Sequence, residues 1–170
     1  MTKCDDSEEP PKEKREKACL YDIDHWLKEA GCTNETDYGF ADGKPCVALT
    51  LNRLIGWVPL AFPDDSTPDV VSDYEPGNVG INCEGEYYAD KDNIGIMDYF
   101  PKEGFHRKFF PFWKYEKYHS PVVWVKFNSL SKGVLVMVEC KAYAYNIVHD
   151  RQEKLGMVHF ELLLDGPTTE

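Results

Sequence analysis

The segment Val134–Tyr143, VLVMVECKAY, carries the clearest strand pattern in the chain. Successive side chains of a β-strand point to opposite faces, so positions 134, 136, 138, 140 and 142 share one face. These residues are three valines, a cysteine and an alanine, whereas the other face mixes apolar and charged residues. We therefore predict a strand whose valine face lies on the core. Cys140 lies on that face, where it could pair across a sandwich with Cys83, at the end of another short strand.

Further strand candidates lie on both sides of this segment. They are Val47–Leu51, Val79–Cys83, Ile96–Phe100, Val122–Phe127 and Met157–Leu164. Several short strands with turn signals between them are typical of a β-sandwich. Gly56–Val58 is expected to continue the chain in extended form. Residues 63–78 contain three prolines and five acids and are expected to form a surface loop.

One segment near the N-terminus, YDIDHWLKEAG at 21–31, has a helical period instead. Its apolar residues follow the i, i+3, i+4, i+7 spacing of one helix face: Ile23, Trp26, Leu27 and Ala30. Asp22 can cap the start of this helix and Gly31 can end it. The sequence therefore predicts a mainly β fold with one short α-helix near the N-terminus.

The composition fits one globular domain and excludes a nucleic-acid binder. The chain has 170 residues, of which 42% are hydrophobic and 14% aromatic, enough for a substantial core. Its formal net charge is −11, and no basic stripe is present. The most basic run, at 12–17, is interleaved with acids and is interpreted as a solvated loop.

The cysteines and a glycosylation sequon indicate an oxidising compartment. Six cysteines occur at 4, 19, 32, 46, 83 and 140, without zinc-type spacing, so disulfides are favoured over a metal site. Six cysteines allow fifteen pairings. Asn34 begins an N-glycosylation sequon. The N-terminus lacks a signal-peptide core, so we expect a membrane or signal segment ahead of Cys4. The alternative is a cytosolic protein with reduced thiols.

No catalytic or metal constellation is evident, and we predict no cofactor. The common nucleotide, hydrolase and metalloprotease motifs are absent from the sequence. His149 and Asp150 are poor candidates for a general base and the acid that orients it, because the side chains of adjacent residues diverge. His159 is expected to pack in a strand. The stretch DKDNIG at 90–95 lacks the later ligands of a calcium loop and is interpreted as a turn with solvated acids. A small disulfide-rich hydrolase is retained as a further hypothesis.

Residues 109–124, FFPFWKYEKYHSPVVW, are unusually rich in aromatic side chains. One interpretation is that they line the core and a strand edge. The other is that they form an exposed surface for another protein, because Tyr, Trp and Phe are enriched at interface cores. The two interpretations can hold for different residues. The candidate partner-binding residues are Phe110, Phe112, Trp113, Tyr115 and Tyr118.

Five ordered segments resemble the extracellular domain of the β subunit of Na,K-ATPase and its H,K-ATPase relative. They are GKPCVALTLNRLIGWVP (43–59), KDNIGIMDYFP (91–101), SPVVWVKF (120–127), VMVECKAYAYNI (136–147) and HDRQEKLGMVHFELLL (149–164). The resemblance makes 43–62 part of the structural frame. One difference is local: the family pattern YYPYYG has a glycine where this chain has Lys114.

The resemblance implies an immunoglobulin-like sandwich with three consecutive disulfides. These are Cys4–Cys19, Cys32–Cys46 and Cys83–Cys140. Residues 1–18 would form a charged, disulfide-tied stalk near the membrane, 19–165 the extracellular domain, and 166–170 a C-terminal tail. The transmembrane helix would precede Cys4.

The resemblance also implies a non-catalytic subunit on the extracellular side of the plasma membrane. Such a subunit binds the catalytic α subunit, largely through the loop between its seventh and eighth helices. It assists delivery of α to the membrane and tunes potassium affinity. The alternative function is cell–cell adhesion through contacts between β subunits.

Overall fold

The computed structural model describes residues 18–63, 66–71, 73–114 and 118–165. In these residues, two α-helices and six strands make up the regular structure apart from short 3₁₀ turns. The helices are α1 (Ile23–Ala30) and α2 (Tyr88–Ile94). The strands are β1 (Cys46–Thr50), β2 (Gly80–Gly85), β3 (Met97–Phe100), β4 (Val122–Phe127), β5 (Leu135–Tyr143) and β6 (Met157–Leu163).

The strands form two three-stranded sheets in which every pairing is antiparallel. Their orders are β1-β4-β3 and β2-β5-β6. The mainly β class is therefore confirmed, and all six predicted strands are present within two residues of their expected ends. Gly56–Val58 forms no strand, although the preceding Ile55 makes an isolated bridge to Phe112. The immunoglobulin-like strand arrangement stays a prediction.

Helix α1 begins and ends as its sequence predicts. The Asp22 side chain accepts a hydrogen bond of 3.2 Å from the His25 backbone N–H. Gly31 ends the helix with φ 64°, a left-handed conformation that glycine adopts without strain. The apolar face of α1 packs on β4, where the Tyr21 hydroxyl just before the helix donates a buried 2.6 Å bond to the Val122 carbonyl. Burial raises the pKa of that hydroxyl well above its ordinary value.

Helix α2 corrects the interpretation of DKDNIG as a turn with solvated acids. Asp90 is buried, with 8% of its surface exposed. Its carboxylate accepts a 3.0 Å bond from the Tyr87 N–H at the start of the helix and another 3.0 Å bond from the Met137 N–H of β5. The acid therefore serves as a helix cap and as a link between α2 and the second sheet.

The core lies between the inner faces of the two sheets. Its fully buried members include Val123, Val125 and Phe127 of β4, Val136 and Val138 of β5, and Val79 and Phe105 outside the strands. The predicted valine face of β5 is buried from Val136 onward. Close packing of these valine and phenylalanine side chains fixes the sheets against each other because protein interiors tolerate few voids.

Two disulfides lie within the described residues. Cys32 is bonded to Cys46, which ties the end of α1 to β1, and Cys83 is bonded to Cys140. The expectation that the second bond crosses a sandwich was wrong. Cys83 and Cys140 are directly opposite each other on neighbouring strands of one sheet. Cys19 is also disulfide-bonded, and its predicted partner Cys4 lies outside the described residues.

Among the described residues, no helix is long and apolar enough to cross a membrane. The same part of the chain contains no group of three or more His, Cys, Asp or Glu side chains that could hold a metal ion.

Candidate partner-binding surface

The loop after β1 and the aromatic segment meet at one exposed surface. Ile55 forms a parallel bridge with Phe112, and the Gly56 N–H donates a 3.0 Å hydrogen bond to the Phe112 carbonyl. Gly56 has φ 72°, and a Cβ there would lie 3.3 Å from the ring of Trp113. Glycine therefore permits both the turn and the close approach of the indole. We call Leu54, Ile55, Phe112 and Trp113 the aromatic-loop surface.

The aromatic-loop surface exposes large apolar side chains. Leu54 is 57% exposed, Ile55 65% and Trp113 36%. Single exposed apolar residues are common in proteins, but adjacent ones more often mark a binding site. Tryptophan in particular is enriched at the centre of protein interfaces.

Two of the candidate partner-binding residues lie beneath this surface. Phe110 is 9% exposed and packs edge-on against Trp57, with ring centres 5.5 Å apart. Tyr118 packs edge-on against Phe112 at 4.8 Å, and its hydroxyl donates a 3.1 Å bond to the Phe109 carbonyl. Burial raises the pKa of Tyr118, and the nearby Arg53 charge only partly opposes this effect. Phe110 and Tyr118 thus support the surface from below.

The remaining candidates have different positions. Phe112 is half-buried, Trp113 is exposed, and Tyr115 lies outside the described residues. Sequence reasoning missed Leu54 and Ile55, which the bridge between Ile55 and Phe112 brings to the aromatic segment. The sequence NRLIG at 52–56 did contain a signal for an exposed loop, because the apolar pair Leu54 and Ile55 lies between two polar residues and a glycine.

Asn34, the predicted glycosylation site, is exposed at the start of the 3₁₀ segment Asn34–Gly39. The hydroxyl of Thr36 lies 3.0 Å from the Gly31 carbonyl and 2.9 Å from the Thr33 carbonyl. The asparagine side chain is thus accessible, whereas the threonine of the sequon is packed against the end of α1.

The histidines that invited a catalytic interpretation have other contacts. His149 Nε2 lies 2.8 Å from the Ala142 carbonyl, whereas the Asp150 carboxylate accepts bonds from the backbone N–H groups of Gln152 and Glu153. The two side chains therefore make separate local contacts rather than a dyad with each other.

His159, expected to pack in its strand, lies between two carboxylates instead. Its ring nitrogens are 3.3 Å from Glu86 and 3.2 Å from the buried Glu139. Arg151 also pairs with Glu86. Burial alone would raise the pKa of Glu86, but the hydrogen bonds from His159 and Arg151 hold it below its ordinary value. Glu139 in turn contacts Lys141 at 2.6 Å, and this bond raises the pKa of Lys141.

The fold and the surface define a disulfide-braced, mainly β domain with a candidate protein-binding surface. The family model described as the sodium/potassium ATPase beta chain matches residues 1–160. The chain belongs to this family, which confirms the resemblance found in its motifs.

Individual proteins from three animals that are named as beta subunits are also similar to this chain. The chain is 41% identical, over 86% of its length, to a probable sodium/potassium-transporting ATPase subunit beta-3 of Caenorhabditis briggsae, and covers 45% of that protein. It is 36% identical, over 95% of its length, to subunit beta-2 of Drosophila melanogaster, and covers 53% of it. It is 30% identical, over 88% of its length, to subunit beta-2 of Homo sapiens, and covers 49% of it. The chain thus spans about half the length of these relatives.

Proposed function

We propose that this chain is the extracellular part of a non-catalytic β subunit of a sodium/potassium pump. It binds the catalytic α subunit, helps to deliver it to the plasma membrane and tunes its potassium affinity. Residues 1–18 form the stalk, 19–165 the domain and 166–170 the tail.

The observation that carries the proposal is the aromatic-loop surface in a member of this family. Leu54, Ile55 and Trp113 are exposed, and the bridge between Ile55 and Phe112 holds them together. Because the backbone of this surface is held by hydrogen bonds and its base is packed, little conformational entropy would be lost on binding. Truncating a central tryptophan of an interface typically costs about 2 kcal/mol or more of binding free energy.

The test joins this chain to the membrane-spanning half of a related β subunit and co-expresses it with a Na,K-ATPase α subunit. We expect ouabain-sensitive rubidium uptake to rise above that of α alone. Trp113→Ala should lower uptake and the amount of α at the cell surface. Ile96→Ala is the matched control, since Ile96 is equally apolar and 70% exposed but lies at the other end of the chain's first sheet, just before β3. Folded surface protein without added uptake would refute the proposal.

Adhesion is the second candidate function, and the free edge of the second sheet favours it. Within the described residues β6 pairs with β5 alone, and its Val158 and Leu163 are 44% and 55% exposed. An open edge strand can pair with the same strand of another molecule. This function predicts that beads coated with the chain aggregate without any α subunit, and that Val158→Lys prevents it. Beads that stay dispersed would count against adhesion.

A further inference from the structure

Arg53 is held in a fixed position at the edge of the aromatic-loop surface. Its Nε donates a 2.8 Å hydrogen bond to the Ser120 hydroxyl. Its guanidinium carbon lies 5.6 Å from the ring centre of Phe112 and 5.8 Å from that of Tyr118. Cation–π contacts of this kind restrict the guanidinium without using its N–H donors. The donors on both Nη atoms make no hydrogen bond or ion pair with the described part of the chain.

The groove beside Arg53 is lined by no acid among the described residues. Its volume is about 590 Å³, and the described residues that line it include Thr50, Asn52, His119 and Ser120 but no Asp or Glu. This is unusual in a chain with 30 acidic and 19 basic residues. Arg151 and Lys141, by contrast, are each paired with a glutamate. The charge of Arg53 is therefore available to a group from outside this part of the chain.

We propose that Arg53 binds an Asp or Glu side chain of the partner protein that covers the aromatic-loop surface. This inference rests on the proposed function and names the chemistry of its contact. A guanidinium matches a carboxylate through two parallel N–H···O bonds, which are stronger than neutral hydrogen bonds. The Ser120 bond and the ring contacts hold the fork in place before binding. The neighbouring Leu54, Ile55 and Trp113 would exclude water around the pair.

The experiment is a competition for a limited amount of α subunit. Two differently tagged copies of the chain, each joined to the membrane-spanning half of a related β subunit, are co-expressed with a Na,K-ATPase α subunit. The ratio of tags that co-purifies with α measures relative affinity. We expect Arg53→Gln to bind at least about tenfold more weakly than wild type and Arg53→Lys to lie between them. Arg151→Gln is the matched control, because it removes the same charge in the connection between β5 and β6.

A second arm separates a direct contact from support of Phe112. Each extracellular Asp and Glu of α is changed in turn to its amide. We expect one such change to weaken binding of the wild-type chain but to add no further loss to Arg53→Gln, as paired residues do in a double-mutant cycle. If Arg53→Gln weakens binding and no acid of α couples to it, Arg53 acts only by positioning the aromatic rings, and the proposal is wrong.

The remaining outcomes distinguish this inference from the proposed function. If Trp113→Ala loses the competition while Arg53→Gln competes equally with wild type, the surface binds α without the carboxylate pair. If wild type itself fails to co-purify with α, the proposed function fails. If Arg53→Gln abolishes self-association of the chain but not α binding, the acid belongs to a second copy of this chain, and α is not the partner of Arg53.

Discussion

Replacement of the buried Asp90 by alanine should destabilise the domain far more than replacement of the exposed Asp92 on the same helix. The Asp90 carboxylate accepts hydrogen bonds from the backbone N–H groups of Tyr87 and Met137, at 3.0 Å each. Alanine removes both acceptors at once. The first loss leaves the start of α2 without its cap, and the second leaves a β5 donor without a partner inside the fold.

The expected cost follows from these two losses. A lost helix cap typically costs about 1 kcal/mol. A buried donor left without a partner costs about 1–3 kcal/mol. We therefore expect Asp90→Ala to lower the free energy of unfolding by about 3 kcal/mol. Asp92 is exposed, and Asp92→Ala should change the free energy of unfolding by less than about 0.5 kcal/mol. Asp90→Asn should be intermediate, because an amide offers one acceptor oxygen rather than two.

Urea unfolding at constant pH with the disulfides intact measures these differences. The midpoints and slopes of the three variants and the wild type are compared, and an unchanged slope shows that the same surface is exposed on unfolding. Equal midpoints for Asp90→Ala and Asp92→Ala would refute the assignment of Asp90 as a structural link. A large loss in Asp92→Ala would refute the account of α2 as a helix with one buried acid.

Two further predictions concern the second sheet. His159 and Arg151 hold the pKa of Glu86 below its ordinary value despite the opposing effect of burial. The stability that these two contacts contribute should therefore be complete above the unfolded pKa of about 4.3. It should be lost as the pH falls through the lower pKa of the folded state. Urea unfolding between about pH 3 and 6 should show that the free energy of unfolding depends less steeply on pH in Glu86→Gln than in wild type. Identical pH profiles of the two proteins would contradict this prediction. The Cys83–Cys140 bond closes a loop of 57 residues, so replacing both cysteines by alanine should cost about 4 kcal/mol on the chain-entropy argument. A thermal midpoint unchanged from wild type would contradict that argument.

The local elements could be predicted because each has its own period or end signal. The alternation in β5 and the helical spacing of α1 arise from backbone geometry alone, and neighbouring residues suffice to show them. Helix α2 was missed for the opposite reason. It has only seven residues, and its buried acid resembles a solvated one until β5 supplies the Met137 N–H that it binds.

The candidate surface could be predicted only in part. The aromatic segment has no regular period, so its sequence does not distinguish the buried Phe110 from the exposed Trp113. That distinction depends on Trp57, which covers Phe110, and on Gly56, which lies under the indole of Trp113. Leu54 and Ile55 joined the surface for the same reason, since they are more than fifty residues away along the chain.

Sequence patterns were sufficient to predict the mainly β class, the positions of the six strands, the limits of α1 and, through the ordered motifs, the family. These depend on short-range patterns and on residue types that can be read in order. Three other features became evident only in the folded domain. Cys83 and Cys140 bridge neighbouring strands, Asp90 is buried, and Arg53 lies over two rings with its outer N–H donors unpaired among the described residues. Each of these depends on strand register and on contacts between distant segments, which are settled when the two sheets pack around one core.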